Sequence, residues 1–216
     1  MTRLFLYVSI LAAALCGCIH SAPVPDEVKS SAPGFGSSDR SPEGPLLSLP
    51  NGITIVDRPY SDGNCAGQSD RHGVGEVRFC MQLSNNTGTP AFVTIPAGTV
   101  FISENTKSPN GLIVKEINIR IPAHAAPVMQ FLTCSINQDR KAPAATFGPQ
   151  PILTNHYSMP ELLSLLETKR INAEDYDGKT PPAAISAAVQ AAVHELAHTG
   201  RLSAGAREKL AQLPDQ

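Results

Sequence analysis

A chain of 216 residues with a formal net charge of −2 is long enough for one sizeable domain, or one domain with a small appendage. A charge so near balance argues against the basic face of a nucleic-acid binder. With no Trp and 5% aromatic residues, a stacking platform for bases or sugars has little to be built from.

In chain order, Arg3 supplies a short positive region and Leu4 to Leu15 is almost wholly apolar. A bilayer-spanning helix needs about 20 apolar residues, so this shorter run fits the core of a secretion signal. The next residues, Leu15-Cys16-Gly17-Cys18, resemble the lipobox of bacterial lipoproteins: an aliphatic residue, two small ones, then the cysteine that is acylated. Cys16 inside the box is a departure from the family pattern. The resemblance covers residues 1–18 and implies a diacylglycerol and an amide-linked acyl chain, palmitate among them, on Cys18. Each buried methylene then adds roughly 0.8 kcal/mol to the anchor. Ile19 stands where inner-membrane lipoproteins of this class often carry Asp, so the resemblance favours the outer membrane. The other reading is an ordinary cleaved signal peptide.

Residues 19–50 are rich in Ser, Pro and Gly, including Ser30 to Ser38. Such a stretch offers little apolar surface to offset the entropy of ordering, and is expected to be a disordered tether. From Asn51-Gly52 the pattern changes. Val77, Phe79, Met81 and Leu83 alternate with Glu76, Arg78, Cys80 and Gln82, the period of a strand with one dry and one wet face. Further strands are expected at Ala91 to Ile95, Val100 to Ser103, Leu112 to Ile121 and Pro127 to Ile136, divided by Asn, Gly and Pro turns. The spacing predicts an immunoglobulin-like antiparallel β-sandwich over 51–140; the runner-up is a small open barrel.

Over 141–216 the period becomes helical. Ser158 to Glu161 reads as a capping box with proline in the first turn, ahead of Leu162, Leu163, Leu165 and Leu166. Ala183 to Thr199 reads as a second helix closed by Gly200, and Ser203 as the cap of a third. A three-helix subdomain of about 60 residues is marginal alone, so it is expected to pack on the sandwich.

Three cysteines lie beyond the signal. Cys65 with Cys80 would close a short loop in a disulfide-permissive compartment; Cys80 with Cys134 is the rival pairing. One thiol is left over in either case, and no local motif makes it a nucleophile.

The sharpest chemical motif is His194-Glu195-Leu196-Ala197-His198. It matches the H-E-x-x-H of zinc metallopeptidases, in which histidines at i and i+4 bind the metal and the glutamate acts as general base on its water. The resemblance to zincins implies His194 and His198 as ligands and Glu195 as catalytic base. A third ligand is required. The metzincin positions fall on Arg201 and Ala204, so it would have to come from elsewhere, such as His124, His156 or Asp175. Opposed to this is a plain helix: Ile185, Val189, Val193 and Leu196 make the apolar stripe, and the histidines lie nearly opposite it.

Asp175 to Gly178 resembles part of a calcium loop but lacks its first ligand and its closing Glu, and reads as a turn. The polar stretch Asp57 to Val74 is the most decorated surface. The reading is therefore a lipid-anchored envelope protein, non-catalytic, without a cofactor and with an envelope protein or cell-wall partner. The competing class is a zinc hydrolase.

Overall fold

The computed structural model describes residues 32–61, 65, 70–143 and 146–216. The signal segment, Cys18 and residues 19–31 lie outside the described residues.

The protein is mainly β, with three α-helices among the described residues. The larger sheet has the order β1 (Ile53–Tyr60), β3 (Val77–Asn85), β8 (Val128–Ser135), β6 (Gly111–Leu112), β5 (Thr99–Phe101), β9 (Ile152–Leu153). Along that order neighbours are antiparallel, while β2 (Arg71–Gly73) joins β8 in parallel. A second sheet pairs β4 (Ala91–Ile95) with β7 (Ile117–Ile121), Val93 opposite Ile119.

The alternation read from Val77, Phe79, Met81 and Leu83 places these side chains in one apolar cluster with Val93 and Ile95 of β4 and Ile117, Ile119 and Ile121 of β7. The two sheets thus close on each other through their dry faces. The other face of the larger sheet is covered as well. Leu112, Cys134 and Ile136 join Leu162, Leu166, Val189, Val193 and Leu196 of the helices in a second cluster. This explains β8, whose residues after Val128 are all buried: a strand covered on both faces loses its period-two pattern.

The helices are α1 (Met159–Leu166), α2 (Ala183–Thr199) and α3 (Ala204–Ala211), with a 3-10 turn at Ala173–Tyr176. Gly200 ends α2 in the left-handed region, its N–H donating to the Leu196 carbonyl at 2.8 Å. It is this positive φ that calls for glycine; a side chain there would also displace the Tyr157 hydroxyl, 2.1 Å away. Ser203 caps α3 by accepting from the Ala206 N–H at 3.1 Å.

Four expectations are corrected. Leu112 to Ile121 is not one strand: it leaves the larger sheet after Leu112 and enters the smaller one at Ile117. Between them Lys115 turns inward to a carboxylate. Ser158 makes no capping bond to α1; its hydroxyl donates instead to the Gly200 carbonyl. Cys80, placed on the wet face, is buried because its bond to Cys65 covers it. Lastly, of the expected tether, residues 32–50 lie on the fold. Phe35 is 4% exposed, and the Leu47 N–H donates to the Pro151 carbonyl at 2.8 Å. One aromatic side chain, a set of backbone hydrogen bonds and the side chains of Asn110, Asn137 and Arg140 order a stretch whose average composition is that of a linker.

Candidate functional site

Six residues of α2 form its buried side: Ile185, Val189, Gln190, Ala192, Val193 and Leu196. Gln190 alone is polar. Its amide accepts from the Ser135 N–H at 2.9 Å and donates to the Ser135 carbonyl at 2.8 Å, fixing the helix to the end of β8. That contact sets where His194, one turn further on, can reach.

The His194 side chain is 18% exposed, and its Nε2, fully shielded from solvent, makes no hydrogen bond among the described residues. Glu76, just before β3, brings a carboxylate oxygen to 3.8 Å. Burial holds the imidazole below its ordinary value; Glu76 opposes that, Lys141 reinforces it and Asp139 opposes it. His198 is exposed.

The Glu195 carboxylate has partners at the start of the next helix. It accepts from the backbone N–H of Ser203, and from the Ser203 hydroxyl at 3.3 Å. Since Ser203 is the N-cap of α3, the glutamate ties the end of α2 to the start of α3, where a negative charge also complements the helix dipole.

The donors proposed to complete a metal site lie elsewhere. His124 sits with φ +53 in the turn opposite Gly88. His156 is packed between the rings of Phe35 (4.5 Å) and Tyr157 (4.9 Å). Asp175 holds Lys115. Among the described residues no group of three or more His, Cys, Asp or Glu side chains could hold a metal ion. A catalytic zinc needs three protein ligands and a free base, and among the described residues His194 and His198 are not joined by a third such ligand.

The Lys115–Asp175 pair was not foreseen. The Lys115 ammonium lies 3.2 Å from Asp175 Oδ2 and donates to the Lys169 carbonyl, with side chains only 9% and 11% exposed. Asp175 also accepts from the backbone N–H groups of Ile171 (2.8 Å) and Asn172 (2.9 Å) and from the Gln216 amide (2.8 Å). Burial pushes this carboxyl up. The hydrogen bonds from Gln216, Asn172 and Lys115, with the lysine charge, outweigh burial and leave it below the usual range. Asp175 to Gly178 is thus a turn whose acid serves an internal ion pair. A lysine amid the isoleucines of 112–121 was the available clue.

The polar stretch 57–74 is largely structured where it is described. Arg58 pairs with Glu104. His72 Nδ1 lies 2.8 Å from Glu174 Oε1, and Glu174 Oε2 accepts from the Gly73 N–H at 3.1 Å. Residues 62–64 and 66–69 of this stretch lie outside the described residues. Cys65 and Cys80 are bonded, with sulfurs 2.08 Å apart. Cys134 is a buried thiol whose pKa burial drives upward, with a smaller push from Glu76, an environment that disfavours the thiolate. A cleft of about 510 Å³, lined by Lys115, Glu116, Asn118, Ser164, Glu167 and Gln216 among others, opens where β7 faces α1.

No family model, curated protein or solved structure matches the chain.

Proposed function

We propose that the chain is a lipid-anchored protein of the bacterial cell envelope, held at the outer membrane through acylated Cys18. Its folded part serves binding or support of an envelope protein or the cell wall, rather than catalysis. The apolar run Leu4 to Leu15 followed by the lipobox-like Leu15-Cys16-Gly17-Cys18 supports the address. The two facing sheets support the finer reading of the fold as an immunoglobulin-like sandwich, a scaffold that presents its loops.

One observation carries the non-catalytic half. The only glutamate of the H-E-x-x-H motif is spent on Ser203, joining two helices. The reading of this motif as a metallopeptidase requires that carboxylate to be free for a metal-bound water.

The address is tested by expressing the chain in a bacterial host fed a labelled fatty acid. The proposal expects label in the wild type and none in Cys18→Ser, with the wild type in the outer-membrane fraction. Unlabelled, soluble wild-type protein would refute it.

A further inference from the structure

Residues 32–38 are bound to the fold by a dense set of contacts. Phe35 enters the apolar cluster shared by the larger sheet and the helices, and its ring rests on that of His156 at 4.5 Å. The Gly36 N–H donates to the Ile136 carbonyl at 2.8 Å. The Asn137 amide donates to the carbonyls of Gly34 (2.8 Å) and Gly36 (3.1 Å), and Arg140 Nη2 to that of Ser38 (2.7 Å). Gly34 and Gly36 both have φ in the left-handed region. At Gly36 a side chain would lie 2.9 Å from the Ala197 carbonyl oxygen. The segment Gly34-Phe35-Gly36 is shaped to lie flat against α2 and drop one aromatic ring into the core.

The floor under that ring is titratable. His156 is 7% exposed, stacked on Tyr157 with the Phe35 ring tilted against its other side, and its Nδ1 accepts from the Ser158 N–H at 3.2 Å. An imidazole that accepts at Nδ1 is neutral. Protonation would turn that acceptor into a donor facing a donor and put a charge among apolar rings. The groups around the seat offer little compensation. They are the Tyr157 phenol beside the imidazole, His198 of α2, an exposed residue whose backbone lies against Gly36, and Arg140 and Asp39 at the far end of the segment. Burial already holds the His156 pKa below its ordinary value, a hydrogen bond to its own backbone opposing.

We propose that residues 32–38 are a strap seated on neutral His156, and that protonating this imidazole releases it. The consequence, which rests on the lipid anchor proposed above, is a change of reach. With the strap seated, the roughly 14 residues from Cys18 to Ala32 span at most about 50 Å. With it released, the next ties are the Asn155 N–H to the Glu43 carbonyl and the Leu153 N–H to the Pro45 carbonyl. The roughly 25 residues from Cys18 to Glu43 then span up to about 90 Å. Acidification would let the folded part stand nearly twice as far from its membrane.

The chain has no Trp, so Phe35→Trp places its one tryptophan in the seat, to be excited at wavelengths that tyrosine does not absorb. In the full chain its emission should shift to the red as pH falls from 7.5 to 5.0, and should stay blue in Phe35→Trp with His156→Gln, whose side-chain oxygen still accepts from Ser158. His194→Gln should leave the shift intact. Hydrogen exchange of the otherwise unaltered chain guards against a misfit of the larger ring. After correction for intrinsic rates, protection at Gly36 should fall at least tenfold over the same range, with circular dichroism unchanged. Protection that is flat with pH, or that falls equally in His156→Gln, would overturn the strap. The same measurement on Cys18→Ser needs no lipid, so a failed anchor and a failed strap give different results.

Discussion

The side-chain amide of Gln190 pairs with both backbone groups of Ser135, one helix residue standing in for the next strand beside β8. Gln190 is 7% exposed and Ser135 2%, so water does not reach the pair to replace it. Gln190→Ala strands a buried donor and a buried acceptor, at a cost of about 2–4 kcal/mol. Gln190→Glu keeps an acceptor for the N–H and should lose less at neutral pH. Denaturant titration of the two variants checks the order.

The Lys115–Asp175 pair predicts an asymmetry. Asp175→Ala leaves an ammonium buried with only the Lys169 carbonyl, and loses the acceptor for two backbone N–H groups. About 3–5 kcal/mol is expected. Lys115→Met removes the ammonium but leaves the carboxylate its other donors, so it should cost clearly less. Because the folded-state pKa of Asp175 is depressed, its stabilisation is present at neutral pH. It is lost as pH falls below the ordinary carboxylate range. Acid unfolding of Asp175→Asn should therefore begin from lower stability and fall less steeply.

The disulfide joins residues separated by 15 positions, and closing such a loop contributes about 3 kcal/mol. Cys65→Ser, Cys80→Ser and the double variant should lose similar amounts, since the loop is opened once in each. Calorimetry should show Tm lower by roughly 6–12 °C in all three. A double variant far worse than either single one would contradict this.

His156 and His194 both have pKa values held below the ordinary histidine value, chiefly by burial. The folded state therefore disfavours their protonation. Their contribution is complete above about pH 6.5, the unfolded value, and is lost as pH falls from there toward the lowered folded values. Stability measured by urea titration should decline below pH 6.5. It should decline less in His156→Gln or His194→Gln, and least in the double variant.

Much of the scaffold was legible. The alternation at 77–83, the helix 183–199 with its glycine stop and the serine cap at 203 are local patterns that tertiary packing preserved. The buried disulfide was one of two pairings left open, since spacing does not reveal which strands become neighbours. What could not be read depends on long-range pairing. The strand expected over 112–121 breaks because Lys115 finds its carboxylate 60 residues on. The linker-like stretch before residue 50 is ordered by Phe35 and by the side chains of Asn110, Asn137 and Arg140, which no local window contains. At the candidate site the i, i+4 histidines were plain. The role of Glu195 was hidden, because its partner Ser203 becomes adjacent only when α3 folds back against α2.

The two functional classes differ in what they ask of Glu195, and metal content measured alongside stability tests that difference most directly. In protein purified without a histidine tag, zinc should be far below one per chain. Glu195→Ala should lower stability by about 1 kcal/mol through loss of the helix joint, and no peptide-hydrolysing activity should accompany either form. One zinc per chain in the untagged protein, lost in His194→Ala or His198→Ala and coupled to a hydrolytic activity that Glu195→Ala abolishes, would contradict the account.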